Sequence, residues 1–242
     1  MPLLTKPTSD AARIGLLNAT VKTGKSDVSK GKKYLSDETL KQASDTANQF
    51  SNLLKAETGK LAARSKEVRE KNQALIALDA ALRDTWEVIK RRVFRKNEPA
   101  EVLTYYQLPL DGTVPKLISE KEIFTLADRV IAGDKKAAAA GYDAAVCPSA
   151  EELQQMLDAA RKESEDVAQS DRDYDDSHKL IAPLRTKADE LINDIIAELQ
   201  YNLRKLDPSN ARRIMRSYGI TFQYAKGEPE DIPATAPSAT AN

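Results

Sequence analysis

Between residues 37 and 98, an apolar side chain recurs at every seventh position. The positions are Leu40, Ala47, Leu54, Leu61, Val68, Leu75, Leu82 and Ile89. No proline interrupts this stripe before Pro99, and Ser36 and Asp37 stand where a helix cap is expected. The spacing predicts one continuous helix of about 60 residues, which is about 90 Å long at ~1.5 Å per residue.

The companion position of each heptad is apolar only towards the two ends of this helix. Its occupants are Ala43 and Phe50 early, Glu57, Arg64 and Lys71 in the middle, and Leu78 late. A coiled-coil-like contact needs both positions to be apolar. The middle of the helix therefore has only half of an apolar seam.

A second long segment, which we extend from Ser149 to Leu206, has the same character. Ser149 and Glu152 have the spacing of a capping box, and the three-and-four register that follows is apolar at both ends and polar in the centre. Its later seam positions are Ile181, Ile192, Ile195 and Leu199. Pro183 lies within this segment, and an internal proline should kink the helix at a cost of ~3 kcal/mol.

Neither narrow apolar stripe can stabilise a helix in water unless another surface covers it. The simplest cover for each is the other long helix, folded back antiparallel. The charges agree, because residues 55–73 carry a net charge of +3 and residues 161–179 carry −3. We therefore predict an all-α fold: an elongated antiparallel helical hairpin or bundle with two long coiled-coil-like helices, shorter flanking helices and a possible single short C-terminal strand.

The rest of the chain is divided around this hairpin. We predict a marginal N-terminal helix and basic linker over residues 1–36. The hairpin covers residues 37–206, with a connector and short helix at 98–148. A short helix and strand follow over 207–225, and a disordered tail over 226–242. Ser119 and Glu122 form another capping box, which should begin the helix within the connector.

Composition limits the class of protein. Hydrophobic residues make up 41% of the chain but aromatic residues only 5%, which favours a thin core between helices over a deep globular one. The formal net charge is zero, so attraction to nucleic acid or an anionic membrane would have to be local. No secretory signal or membrane-spanning run is recognisable, so we expect a cytoplasmic protein, with export by a leaderless route left open.

Residues for catalysis or metal binding are sparse. The chain has one histidine, His178, and one cysteine, Cys147, and it lacks a glycine-rich phosphate loop and the common hydrolase motifs. The acidic run Asp171–Asp176 beside His178 lacks the glycine and the final glutamate of a calcium loop. We expect no enzymatic activity, no metal and no cofactor.

Basic clusters near both ends of the hairpin offer one alternative function. The candidates are Lys30, Lys32, Lys33, Arg204, Arg212, Arg213 and Arg216, which an antiparallel hairpin brings to one end together with several tyrosines. Basic groups mixed with aromatic rings are typical of surfaces that bind nucleic acid or another anionic partner. A helical toxin or membrane-remodelling protein is a further alternative.

The favoured hypothesis is a structural or interaction protein that associates with copies of itself or with another protein. The thin seams leave apolar surface to be covered, and the alternating segment Ile220, Phe222 and Tyr224 is typical of a strand but lacks an obvious mate. We predict that these three residues contribute to assembly. The sequence does not identify the partner, the number of copies or the biological process.

Overall fold

The computed structural model describes residues 2–226 and confirms the all-α prediction. The elements are β1 (Leu3–Thr5), α1 (Asp10–Ser29), α2 (Asp37–Lys96), α3 (Val102–Tyr105), α4 (Glu120–Ala139), α5 (Ala150–Lys179), α6 (Ile181–Leu203), α7 (Pro208–Ser217) and β2 (Thr221–Gln223). The predicted tail lies outside the described residues except for Lys226.

The chain forms two compact units. Of the described residues, unit 1 contains 2–58 and 176–226, and unit 2 contains 59–175. Helices α2 and α5 contribute to both units. The two units divide the predicted 37–206 segment between them, and the boundaries predicted at residues 36 and 206 fall inside unit 1.

Helix α2 has the predicted length of 60 residues. The Ser36 hydroxyl accepts a hydrogen bond from the Thr39 amide at 3.0 Å, which satisfies an amide of the first turn. At the other end, Asn97 has a φ of 50° and Pro99 follows, so the helix stops.

Unit 1 is built around the antiparallel contact of the first part of α2 with α6. Near the start of α2, the Ser36 amide donates to Glu198 of α6; further along α2, Glu57 contacts His178 Nδ1 at the end of α5, just before α6 begins. Apolar residues of both helices are buried together with α1 and α7; those from α2 and α6 are Leu40, Ala43, Ala47, Phe50, Ile181, Leu184, Ala188, Leu191, Ile192, Ile195, Ile196, Leu199 and Leu203. Residues far apart in sequence therefore close one core.

The predicted C-terminal strand is present, and a second short strand near the N-terminus supplies its mate. Strand β2 pairs antiparallel with β1, with Leu4 opposite Phe222. The three residues of β1 are too few to show an alternating pattern, so nothing in the sequence indicated this mate. Pairing inside unit 1 satisfies one edge of β2 without a second chain.

The second long segment consists of two helices, where one kinked helix was predicted. Helix α5 ends at Lys179 and α6 begins at Ile181, with Leu180 between them. Pro183 has no amide hydrogen to donate to the carbonyl of Lys179, so the helical hydrogen bonding ends upstream of the proline. The sequence analysis predicted that Pro183 disturbs the helix. In the structure the helix is interrupted at Leu180.

Paired charges connect α1 to α6 in unit 1. Arg185 donates two hydrogen bonds to the Asp10 carboxylate, at 2.9 and 2.7 Å, and Arg13 donates two to Asp189, at 2.8 and 2.9 Å. The hydrogen bonds from Arg185 lower the pKa of Asp10, because they stabilise its ionised form.

This pairing predicts a pH-dependent effect of Asp10→Asn. A carboxyl whose pKa is lower in the folded than in the unfolded chain stabilises the fold above the unfolded pKa of about 3.9 and loses that contribution as the pH falls through the folded pKa. At neutral pH the variant should unfold with a free energy about 0.5 to 1 kcal/mol below that of the unsubstituted protein. Urea unfolding followed by circular dichroism should show this difference at neutral pH and a smaller one at acidic pH, where the Asp10 carboxyl takes up its proton. An equal difference at both pH values would contradict the assignment.

Unit 2 contains the later part of α2 together with α3, α4 and most of α5. Trp86 is fully buried in its core, and the indole N–H donates to the Tyr106 carbonyl at 2.8 Å. The Tyr106 hydroxyl donates at 2.7 Å to Asp134, which also accepts from the Ala145 amide at 2.7 Å. Burial, followed by this bond to Asp134, raises the pKa of Tyr106. These bonds fix α3 and the segment before α5 against α2 and α4.

Both predicted capping boxes are present in unit 2. The Glu122 amide donates to the Ser119 hydroxyl, and the Glu122 carboxylate accepts from the Ser119 amide. Ser149 and Glu152 make the same reciprocal pair at the start of α5. Helix α4 ends before Gly141, whose φ of 90° is one that glycine adopts readily.

Candidate functional site

The stripe predicted on α2 is buried only towards the two ends of the helix. Its first two members are buried in unit 1, and its last two, Leu82 and Ile89, are fully buried in unit 2. Leu54 and Leu75 are half-buried against the cores of units 1 and 2 respectively. Leu61 and Val68, by contrast, are 43% and 36% exposed. The middle of the stripe is therefore partly open to solvent.

The four seam positions predicted in the second segment all lie in the core of unit 1. Ile181, Ile192, Ile195 and Leu199 on α6 are each at most 1% exposed. Their apolar face is wider than the sequence register indicated, because further leucines of α6 are buried beside them. These residues stabilise the fold and present no surface to a ligand.

Charged residues of α2 and α5 pair across the polar part of unit 2. Lys60 donates to Asp173 at 2.7 Å, and Arg64 pairs with Asp171 and lies against the Tyr174 ring. The attraction predicted from the opposite net charges is confirmed by these contacts. The acidic run therefore belongs to an interhelical ion-pair surface.

The residues predicted to mediate assembly are already engaged inside unit 1. Ile220 is 1% exposed within the chain, and a contribution of these three residues to assembly stays a prediction. Phe222 packs against the core, and the Arg216 guanidinium lies 5.6 Å from the centres of both the Phe222 and the Tyr224 rings. Strand β2 pairs and packs within its own chain. The sequence alone could not distinguish this from pairing with another chain.

The candidate anion-binding residues all belong to unit 1. Lys30, Lys32 and Lys33 are exposed after α1, and Lys33 pairs with Asp37 at 2.7 Å. Arg204 follows α6, with its guanidinium 3.8 Å from the centre of the Tyr201 ring. Arg212, Arg213 and Arg216 lie on α7, where Arg213 is exposed. Binding of nucleic acid or another anion at these residues stays a prediction.

The sequence analysis did not predict one group of neighbouring carboxylates. Oxygen atoms of Glu67, Glu163 and Asp166 lie within 4.8 Å of one another in unit 2. The spacing of Glu163 and Asp166 on one face of a helix was the available signal, but Glu67 comes from α2 and is distant in sequence. Lys66 lies 3.5 Å from Glu67 and offsets part of the negative charge. All three residues are half-buried, and the group carries no functional assignment.

A concave surface on unit 2 is the feature best suited to binding. Its larger part is a cavity of about 760 Å³ between α2 and α5, and Cys147 and Pro148 also line it. Its α2 wall consists of Ala81, Asp84, Glu87, Val88 and Arg91, and its α5 wall of Glu152, Gln155, Met156 and Ala159. This volume lies within the range of about 300 to 1,000 Å³ that is typical of ligand-binding clefts.

A second cavity of about 440 Å³ adjoins the first at Val88 and Arg91. It continues along α2 past Arg95 to Lys96 and is bounded on its other side by residues 143–146. Val146 in this wall is 79% exposed. We call the two adjoining cavities the α2 groove. It extends along α2 from Ala81 to Lys96, so its length suits a helix or an extended chain.

The core of unit 2 holds the walls of the α2 groove in place. The loop that forms one wall is fixed by the bond from the Ala145 amide to Asp134 and by contacts of Arg92 and Lys96 with Asp143. Lys96, and to a smaller extent Arg92, lower the pKa of Asp143. The capping box at Ser149 fixes the start of the opposite wall. Sites held on rigid elements in this way need little reorganisation on binding.

The charges of the α2 groove are separated along its length. Asp84, Glu87 and Glu152 line the larger cavity, Arg91 lines both cavities, and the smaller one is lined by Arg92, Arg95 and Lys96 together with Asp143. Glu87 pairs with Lys90, and Lys96 with Asp143. Within residues 2–226, Asp84, Arg91 and Arg95 form no ion pair, so their charges are available to a ligand. The sequence contained these charges, but the cavity depends on the return of residues 143–148 to α2.

No protein family, curated protein or solved structure matches the chain. Within residues 2–226, no helix has a stretch apolar enough and long enough to cross a membrane.

Proposed function

We propose that the chain is a non-enzymatic structural protein that self-associates through the α2 groove. The observation that carries this proposal is the groove itself: a concave surface with apolar groups at its centre and opposite charges at its two ends, built on helices. Exposed apolar surface bordered by charged groups is characteristic of protein interaction sites.

The chemistry of the groove favours a polypeptide partner over a reaction. Imidazole, the commonest acid and base in enzymes, is present in the chain only at His178, which contacts Glu57 in unit 1 and lies outside the groove. The groove instead offers Val88, Met156 and Val146 beside unpaired charges. Such a surface can both bury apolar groups and fix the orientation of a partner through its charges.

The proposal predicts that Val88→Glu weakens self-association. Sedimentation velocity of the full chain, at concentrations from about 1 to 100 µM, should show a mass above that of one chain for the unsubstituted protein, because this range populates interfaces of micromolar affinity. Val88→Glu places a charge at the centre of the groove, and the mass should fall towards that of a monomer.

Ile76→Glu is the matched control. Ile76 lies on the same helix, is 70% exposed and lines neither cavity of the groove. The control should associate like the unsubstituted protein. A chain that stays monomeric throughout the concentration range, or one that both substitutions dissociate equally, would refute self-association through this groove.

A further inference from the structure

The α2 wall of the groove carries a charge pattern with a defined order. Asp84, Val88, Arg91 and Arg95 follow one another at intervals of four, three and four residues, so they lie on one face of the helix. All four line the groove. The face is acidic at one end, apolar next to its centre and basic at the other end.

This face is complementary to a copy of itself in the antiparallel direction. A two-fold axis placed midway between Ile89 and Lys90 brings Asp84 of one copy opposite Arg95 of the other, twice by symmetry. The same axis places Val88 opposite Arg91, whose aliphatic stem can cover an apolar side chain while the guanidinium stays in water. A parallel pairing in register would instead place Asp84 against Asp84 and Arg95 against Arg95, which is unfavourable.

We infer that the occupant of the α2 groove is the α2 face of a second copy, related by this two-fold axis, and that two Asp84 to Arg95 ion pairs fix its direction. The inference rests on the proposed self-association and adds the symmetry, the register and the charged contacts. A two-fold contact of this kind uses the same patch on both copies and closes at a dimer.

The surroundings of these residues favour this occupant. Asp84 and Arg95 are exposed, and each can reach a partner without breaking an ion pair within the described part of the chain. Val146 lines the basic end, and Phe94, the residue before Arg95, is 88% exposed. A second copy would cover apolar side chains at both ends of the contact, whereas a small anion at the basic end would leave them open.

A charge-exchange experiment tests the arrangement. Asp84→Arg and Arg95→Asp should each weaken dimerisation at least about tenfold, because each substitution brings like charges together twice. An equimolar mixture of the two single variants should recover a dimer. In that mixed dimer the arginine introduced at position 84 of one chain faces the aspartate introduced at position 95 of the other, and the remaining pair keeps its original charges. Sedimentation velocity gives the mass and the dissociation constant in each case.

The controls separate this inference from its premise. Arg69→Asp makes the same arginine-to-aspartate change as Arg95→Asp, but at an exposed position of α2 outside the groove. It should leave the dissociation constant unchanged. The fluorescence of Trp86, which lies in the core of unit 2, reports whether each variant keeps its fold. Recovery of a dimer on mixing supports the inference.

Other outcomes overturn the inference at different levels. Self-association that neither single variant weakens, or that mixing does not restore, refutes the two-fold arrangement and leaves the proposed function standing. Recovery of assemblies larger than a dimer refutes the two-fold symmetry. If the unsubstituted chain is monomeric, the proposed function and the inference both fail, and binding of a different protein becomes the interpretation of the groove.

Discussion

Gly133→Ala should destabilise unit 2 by about 3 kcal/mol or more, although alanine is the better helix former. Gly133 lies within α4, where an added Cβ would stand 1.7 Å from the carbonyl oxygen of Tyr105 and 2.7 Å from its carbonyl carbon. Both are backbone atoms, so no side-chain rotation relieves the overlap. Helix α3 would have to move away from α4, and the bonds that join Trp86, Tyr106 and Asp134 would be strained or lost.

The measurement uses the chain's single tryptophan. Trp86 is buried in the core of unit 2, so urea unfolding followed by its fluorescence reports on that unit. Gly59→Ala is the control, because Gly59 is also inside a helix but an added Cβ there meets no atom within 4 Å. The free energy of unfolding of the Gly59→Ala control should rise by about 0.5 to 1 kcal/mol, because alanine has the better helix propensity. If Gly133→Ala gained stability by a similar amount, the close approach of α3 to α4 would be refuted.

The features that sequence reasoning predicted correctly are set by neighbours along the chain. The start of α2 at Asp37, the capping boxes at Ser119 and Ser149 and the end of α4 before Gly141 each depend on residues within one helical turn. Such signals are readable because the interacting groups have fixed spacing. The heptad repeat is equally local, and it predicted the length of α2.

The features that sequence reasoning missed depend on contacts between distant segments. The mate of β2 comes from the first five residues of the chain, and the network around Asp134 joins residues from three separate stretches. No spacing rule links such residues. The α2 groove belongs to the same class: its charged face was present in the sequence, but the wall made by residues 143–148 was not foreseeable.

Contacts between distant segments also decide which residues of the α2 stripe are buried, and the heptad pattern alone does not show them. Leu61 and Leu82 occupy the same heptad position of the same helix, yet Leu61 is 43% exposed and Leu82 is fully buried. Around Leu82, α3, α4 and α5 supply apolar side chains, whereas around Leu61 the neighbouring contacts are ion pairs such as Lys60 with Asp173. A periodic pattern shows which face of a helix is apolar, and the tertiary structure decides which part of that face is covered.

Leu82→Ala and Leu61→Ala should therefore differ widely in their effects on stability. Leu82→Ala removes buried methyl groups and leaves a cavity, so the free energy of unfolding of unit 2 should fall by about 2 to 5 kcal/mol. Leu61→Ala removes partly solvated groups and replaces leucine with a slightly better helix former, so it should change stability by less than about 1 kcal/mol. Both belong to unit 2, and Trp86 fluorescence during urea unfolding reports on both.

The comparison also tests whether self-association covers the exposed part of the stripe. The variants should be measured at a low concentration, where the chain is monomeric, and again at one where it associates. Because Leu61 lies outside the α2 groove, the effect of Leu61→Ala should be small at both concentrations. A loss comparable to that of Leu82→Ala appearing only at the higher concentration would mean that a second chain packs against the middle of α2. That result would move the interface away from Asp84 and Arg95, because the buried apolar groups would then lie several turns towards the start of the helix.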